Sequence, residues 1–395
     1  MSKRKNGEGT WGEKVINGIK YKFFRDVEGK YFYGKTEKEI KVKIQKNKEK
    51  KQKTKSDDSI GANTLFVDYV NDYIHNKIYI ESSTLDGYED VVNSMLKPYT
   101  IGNCEMQNIN EDNMRLYLNE LAEKYARSSI QKIVAVFRPA LKYALEHEHI
   151  AKNPLDHVKI PSEERVAVKK KDIPYIIKSD LDKLYEESKR INKKGYNWGG
   201  IIGKPTYGIN AQIIIFIGHT GLRISEVIGL RWKHIDIENK QIHVREALVT
   251  VKNRSEDSDG AKKYIKKRKG TKSKAGERDI PLSDIALEMI DIFHKENPNH
   301  KPDDPVVLTK LGTSPNRRNI QKTLDSMISR ANCSIDHCGL HGLRHGFGAI
   351  LLSQGVDIKI VSTLLGHEDI TTTYNIYIDF TREQIENSVM SVLNK

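Results

Sequence analysis

The run "LLGHEDITTTYNIYIDF" carries two phenols three residues apart, Tyr374 and Tyr377. A phenol with an ordinary pKa of about 10 is a poor nucleophile near neutral pH, so covalent chemistry there needs fixed cations close by. Without them, two aromatics at helical spacing are packing. The chain supplies cations in three places. In "TGLRISEVIGLRW" a turn at Thr220-Gly221 precedes a helix that puts Arg223 and Glu226 on one face near its start. Taken alone, that pair reads as a surface ion pair. In "CGLHGLRHGFG" His341 and Arg344 share a helical face; Gly355 closes that helix, Gly366 closes the next, and His367 follows at once. In "TKSKAGERDIPL" Lys272 and Lys274 precede a strand that ends at Pro281, where a solvated hairpin is the plain alternative.

The elements that must position these groups read as three segments. A chain of 395 residues exceeds one ordinary domain. Residues 1–55 hold 18 Lys and Arg against 7 Asp and Glu, a net of +11, and the remaining chain carries only +2. The excess is not a bare tail, because "GIKYKFFRDVEGKYFYGKTEKEIKVKIQKNKEKK" interleaves aromatics with lysines around a Glu28-Gly29 turn. It reads as two strands, roughly Tyr21 to Asp26 and Lys30 to Tyr33, then a helix, with a basic surface suited to phosphates. From Thr64, "TLFVDYVNDYI", "STLDGYEDVVNSML", "NEDNMRLYLNELAEKY" and "RSSIQKIVAVFRPALKYALEHEHI" repeat apolar residues every three or four positions, a bundle of four helices. Prolines and a charge run mark a linker. From about Tyr175 onward helices such as "IIIFIGHT" alternate with strand-like "QIHVREALVTV" and "ERDIPL". The stretch between those two strands reads as a long polar excursion ending in a lysine-rich turn.

Composition excludes other classes. No apolar run spans a bilayer and the N-terminus lacks the apolar core of a signal peptide, so a cytosolic, non-membrane protein is expected. Three cysteines are too few for a disulfide framework. Cys333, His337, Cys338 and His341 do not have the spacing of a zinc knuckle, so neither a metal nor another cofactor is expected.

The boxes "TGLRISEVIGLRW", "TKSKAGERDIPL", "HGLRH" with "LLSQGVDIKIVSTLLGHEDI", and "TTTYNIY" together resemble the tyrosine recombinases, the integrase family of phages and conjugative transposons, in order and approximate spacing over most of residues 210–380. The resemblance implies a small α+β N-terminal arm-binding domain (1–55), an all-α core-binding bundle (63–158) and a mixed, mainly α catalytic domain with a small β-sheet and a C-terminal tail helix (175–395). It implies a tyrosine that attacks a scissile phosphodiester, forms a 3′-phosphotyrosyl link and releases a 5′-hydroxyl. By resemblance Arg223 and Arg344 clamp the phosphate, since a planar guanidinium matches its oxygens. His341 and His367 hydrogen-bond it or position the nucleophile, and Glu226 orients Arg223 or the histidine. The family's pattern favours Lys274 over Lys272 as general acid and places the nucleophile at Tyr377, leaving Tyr374 as packing.

The implied partners are double-stranded DNA at core-type and arm-type sites, three further copies in a homotetramer that passes through a Holliday junction, and a small excisionase-like accessory protein. The biological role implied is integration and excision of a conjugative transposon, with a prophage integrase next. A DNA-binding protein without catalysis and a type IB topoisomerase are the readings of other classes.

Overall fold

The computed structural model describes residues 10–16, 19–25, 31–34, 36–37, 39–41, 43, 61–76, 80–169, 174–192, 204–205, 207–254, 263–270 and 274–374. The chain divides into two compact units, Met1–Ile78 with Tyr88–Val168, and Tyr79–Gly87 with Lys169–Lys395.

The first unit begins with an antiparallel sheet in the order β1 (Thr10–Ile16), β2 (Ile19–Arg25), β3 (Tyr31–Gly34). Two strands are expected from the sequence, and β1 is the one it does not announce. "TWGEKVI" has no alternation of apolar and polar residues, so its strand state comes from pairing with β2, in which Gly12 lies opposite Phe23. The Glu28-Gly29 turn lies outside the described residues. Helical residues at 37, 39–41 and 43 follow, with Ile40 fully buried.

Four helices come next, α1 (Phe66–Asn76), α2 (Ser82–Met95), α3 (Glu111–Ala122) and α4 (Arg127–Glu146). Their apolar stripes bury Phe66, Tyr69, Val70 and Ile74 of α1 and Ile130, Phe137 and Leu141 of α4, with the Phe66 and Phe137 rings 4.9 Å apart. At the start of α3, Asn110 accepts from the backbone of Asn113 while Asn113 accepts in return, a reciprocal cap.

The second unit is built around α6 (Ile209–Thr220), whose sequence INAQIIIFIGHT is apolar on nearly every face and therefore sits inside. It packs against α5 (Lys178–Ser188), α8 (Asp284–Glu296), α9 (Arg317–Arg330) and α10 (Leu340–Ser353). Short strands β4 (Ile191–Asn192) and β5 (Lys204–Pro205) pair after α5. Beyond the short helix α7 (Ile224–Gly229), β6 (Ile235–Asp236), β7 (Gln241–Val244) and β10 (Arg278–Pro281) form a sheet in the order β10-β7-β6.

Between β7 and β10 stands a separate hairpin of β8 (Glu246–Lys252) and β9 (Tyr264–Gly270). The stretch read as a polar excursion therefore contains a full strand, whose run of Lys and Arg conceals it because β9 faces solvent along much of its length. "QIHVREALVTV" likewise divides between two sheets at Arg245. Helix α11 (Ile358–Leu365) follows α10, and a helical turn at 370–374 closes the described chain. Among the described residues no helix is long and apolar enough to cross a membrane.

Candidate active site

Helix α11 is eight residues long and ends at Gly366, φ +62°, in the left-handed conformation that lets its last carbonyls turn outward. A Cβ at Gly366 would stand 2.9 Å from the Ala275 carbonyl and 3.0 Å from Arg278 Nη1, so the position combines a special backbone with close packing. Helix ends leave carbonyls without intrahelical partners and carry partial negative charge. Three arginines use them. Arg278 Nε donates to the carbonyl of Leu364 at 2.6 Å, Arg344 Nη2 to that of Leu365, and Arg223 Nη2 to that of Gly366 at 3.1 Å.

Each arginine reaches this point from a different element. Arg223 is the residue before α7, after the turn in which Gly221 adopts φ +64° and a Cβ would collide with Phe347 at 2.4 Å. Arg344 comes from α10, where it is 1 % exposed and also donates to the Gly221 carbonyl at 2.7 Å. The start of α10 is in turn fixed by Gln321, which accepts from Leu340 N and donates to the Cys338 carbonyl. Arg278 rises from β10. The turn at Gly221 and the end of α11 are thereby clamped to one another through the two sequence-predicted arginines.

Glu226 completes the arrangement. It is buried, accepts from Arg223 Nη1 and Arg223 N at 2.8 Å each, and accepts from Arg278 at 3.1 and 2.8 Å. Burial alone would raise its pKa, but the hydrogen bonds and charge of Arg278, then the charge of Arg223, outweigh it and hold the carboxyl at about 2.

His341 is exposed at the first turn of α10, its ring edge-on to His345 with centroids 4.4 Å apart. Desolvation and the nearby charges of Arg344, Arg223 and Arg317 lower its pKa. His367 lies just beyond Gly366, and its Nδ1 is 2.8 Å from the hydroxyl of Thr373. Burial, then Arg344 and Arg223, push it down to about 4, so both imidazoles are neutral at pH 7. Arg223, Glu226, Gly276, Gly366 and His367 line one cleft of about 820 Å³, with Lys269 of β9 at its edge.

The remaining sequence-predicted residues divide sharply. Lys274 opens a 3-10 turn, Lys274–Gly276, that packs against Gly366 through Ala275 and whose Gly276 carbonyl accepts from Arg278. Lys272 and Tyr377 lie outside the described residues. Tyr374 ends the last described helical turn and is 47 % exposed. Sequence reasoning missed Arg278 and Thr373. Arg278 did leave a signal, since it stands two residues before Ile280 on a strand and so shares the inward face of β10. A charge at an inward strand position asks for a buried partner.

Known proteins resemble this chain in sequence and in fold. A model of the phage integrase family matches residues 178–384, just over half of the chain. A XerC-like tyrosine recombinase of Caldanaerobacter subterraneus subsp. tengcongensis is 27 % identical over 420 residues, covering 98 % of this chain and 96 % of that protein. XerC of Bacillus subtilis is 24 % identical over 284 residues, covering 70 % and 79 %. Among solved structures, the Tn1549 transposon integrase in complex with transposon right-end DNA aligns with a TM-score of 0.64 at 20 % identity, covering 82 % of this chain and 99 % of that one. A lambda integrase dimer bound to a COC′ core site aligns at 0.55 and 14 % identity, covering 95 % and 96 %. With its arginines gathered at one helix end and its family match running through all of them, the chain belongs to the phage integrase family, the tyrosine recombinases that act on DNA.

Proposed function

We propose that this recombinase is the integrase of a mobile element of the conjugative-transposon type, cutting and rejoining DNA through a 3′-phosphotyrosyl intermediate. The observation that carries the reading is the pair of consecutive carbonyls, Leu365 and Gly366, on which Arg344 and Arg223 converge. Two guanidiniums side by side, with neutral His341 and His367 in electrostatic reach of both, suit the non-bridging oxygens of a phosphodiester. A guanidinium has five N–H donors, and Arg223 spends two of its side-chain donors on Glu226 and Gly366.

In the reaction the Tyr377 hydroxyl gives its proton to a neutral imidazole, His341 or His367, its oxygen attacks phosphorus, the bond from phosphorus to the 5′-oxygen breaks, and Lys274 gives that oxygen a proton. The phosphodiester energy is kept in the tyrosyl link, and the freed 5′-hydroxyl of a partner strand reverses the step. The arginines stabilise the charge that builds on the pentacovalent phosphorus, a role for preorganised donors. The likeness in fold to a transposon integrase bound to transposon-end DNA supports the mobile-element role, and the basic segment 1–55 supports contact with separate arm-type sites. In this reading residues 63–158 and 175–395 hold the core site, four protomers exchange strands, and an excisionase-like protein sets direction.

The test is a nicked suicide substrate that traps the covalent complex. Tyr377→Phe abolishes the adduct and leaves core-site binding nearly intact, because one hydroxyl is removed and the phosphate ligands stay in place. Tyr374→Phe retains it. An adduct that persists in Tyr377→Phe and vanishes in Tyr374→Phe moves the nucleophile, and adduct in neither the parent nor any variant removes the catalytic reading.

A further inference from the structure

The acceptors of Glu226 are fully used. Oε1 takes Arg223 Nη1 and Arg278 Nη1, and Oε2 takes the Arg223 backbone N–H and Arg278 Nη2. Two of the four bonds, and the geometry of a two-point fork, belong to Arg278. The Arg278 side chain is only 2 % exposed, and its other donors go to the carbonyls of Leu364 and Gly276. All three of its side-chain nitrogens are thereby bonded within the protein. Arg223, whose side chain is 35 % exposed, lines the cleft.

The charges matter as much as the geometry. Arg223, Glu226 and Arg278 together hold two positive charges and one negative. Take Arg278 away and the remaining pair is neutral, with a buried carboxylate half of whose acceptor positions are empty. Such a group is costly in a low-dielectric site and draws in the nearest cation, which is Arg223. We propose that Arg278 is a positioning residue for the phosphate clamp: it takes up the Glu226 carboxylate, so that Arg223 keeps its fork and its charge for the scissile phosphate. The proposal rests on Arg223 being a phosphate ligand.

The groups that face Glu226 and its cleft are Arg223 from its own turn, Arg278 from β10, His341 from α10, Lys269 from β9, and His367, Glu368 and Asp369 beyond α11. In Arg278→Gln, Glu226 loses its strongest cation and takes up a proton more readily, and protonation releases Arg223. The variant's activity relative to the parent therefore rises as pH falls.

The experiment measures adduct formation on the suicide substrate from pH 8 to pH 6, with core-site affinity and thermal unfolding alongside. The full-length variants are Arg278→Gln, Arg278→Lys, Glu226→Gln and the double variant Arg278→Gln/Glu226→Gln. Arg278→Gln lowers the rate about a hundredfold at pH 8 with core-site affinity within about threefold, the size expected when a transition-state donor is lost. The double variant recovers at least about tenfold of that loss, since removing the uncompensated carboxylate frees Arg223 again. Arg278→Lys, which keeps the charge without the fork, falls between parent and Arg278→Gln. A double variant no faster than Arg278→Gln, or a rate ratio that is flat in pH, overturns the proposal and leaves Arg278 a purely structural tether.

If Arg278→Gln does not fold, the rank order of parent, Arg278→Lys and Arg278→Lys/Glu226→Gln decides. With the charge retained, removing Glu226 has little left to relieve, so a gain above about threefold overturns the charge-balance argument. Arg223→Gln separates this outcome from the one beneath it: full cleavage by that variant removes the phosphate-ligand reading itself, whereas its inactivity, with no recovery in the double variant, removes only the role given to Arg278.

Discussion

At the end of α11 three guanidiniums are drawn onto three consecutive carbonyls and one buried carboxylate, while across residues 1–55 eighteen cations face seven carboxylates in a basic segment. The two concentrations of positive charge differ in what holds them. Arg344 and Arg278 are fixed by short bonds inside the protein, so their positions are set before any ligand arrives. Lys22 in β2 pairs with Glu37 at the surface, where salt and water compete. The first arrangement suits one phosphate in one geometry, and the second suits many phosphates in none in particular.

Substitution at the clamp has the largest expected effect. Arg223→Lys lowers adduct formation at least about a hundredfold, because an ammonium cannot bond Glu226, the Gly366 carbonyl and a phosphate from one plane. Near-parental cleavage by this variant would erase the contrast between the two regions. Deleting residues 1–55 makes the complementary cut. Arm-type binding weakens and its salt dependence flattens, by about 0.9 in the slope of log K against log salt for each phosphate that is no longer neutralised. Core-site binding survives, and equal weakening at both sites would make the segment structural.

Gly366→Ala probes the hub without touching a charge. The left-handed backbone costs an alanine about 1–2 kcal/mol, to which the clash with the Ala275 carbonyl adds, so a fall of several degrees in Tm accompanies slower adduct formation. Unchanged cleavage would mean that the arginines hold their geometry without the helix end. Acid tests the same region without any substitution. His345 and His367 have pKa values of about 4 in the folded chain against about 6.5 when unfolded, so the unfolded state binds more protons between those values. Stability is therefore full above pH 6.5 and declines as pH falls toward 4. A Tm that is flat from pH 7 to 5, or His345→Gln with the parent's slope, would contradict this.

Much of the site is legible in residue spacing. Arg223 with Glu226, and His341 with Arg344, announce themselves because residues three apart share a helical face, and Gly221 and Gly366 announce the turns because only glycine enters a left-handed conformation cheaply. The all-apolar α6 declares a buried centre for the second unit for a similarly local reason. Strands β1 and β9 are not announced, because each is stabilised by a partner strand and not by its own pattern. The choice of Tyr377 over Tyr374 and of Lys274 over Lys272 rests on family pattern alone, since Tyr377 and Lys272 lie outside the described residues.

What tertiary structure alone decided is the meeting at the end of α11. Arg223, Arg278 and Arg344 are separated by up to 121 positions, and the groups that gather them are the backbone carbonyls of Leu364, Leu365 and Gly366, which every residue possesses and no sequence pattern marks. Local spacing determines which side chains can share a face of one helix; which helix end they share depends on chain packing over long range, and that is where the charge of Glu226 found its second arginine.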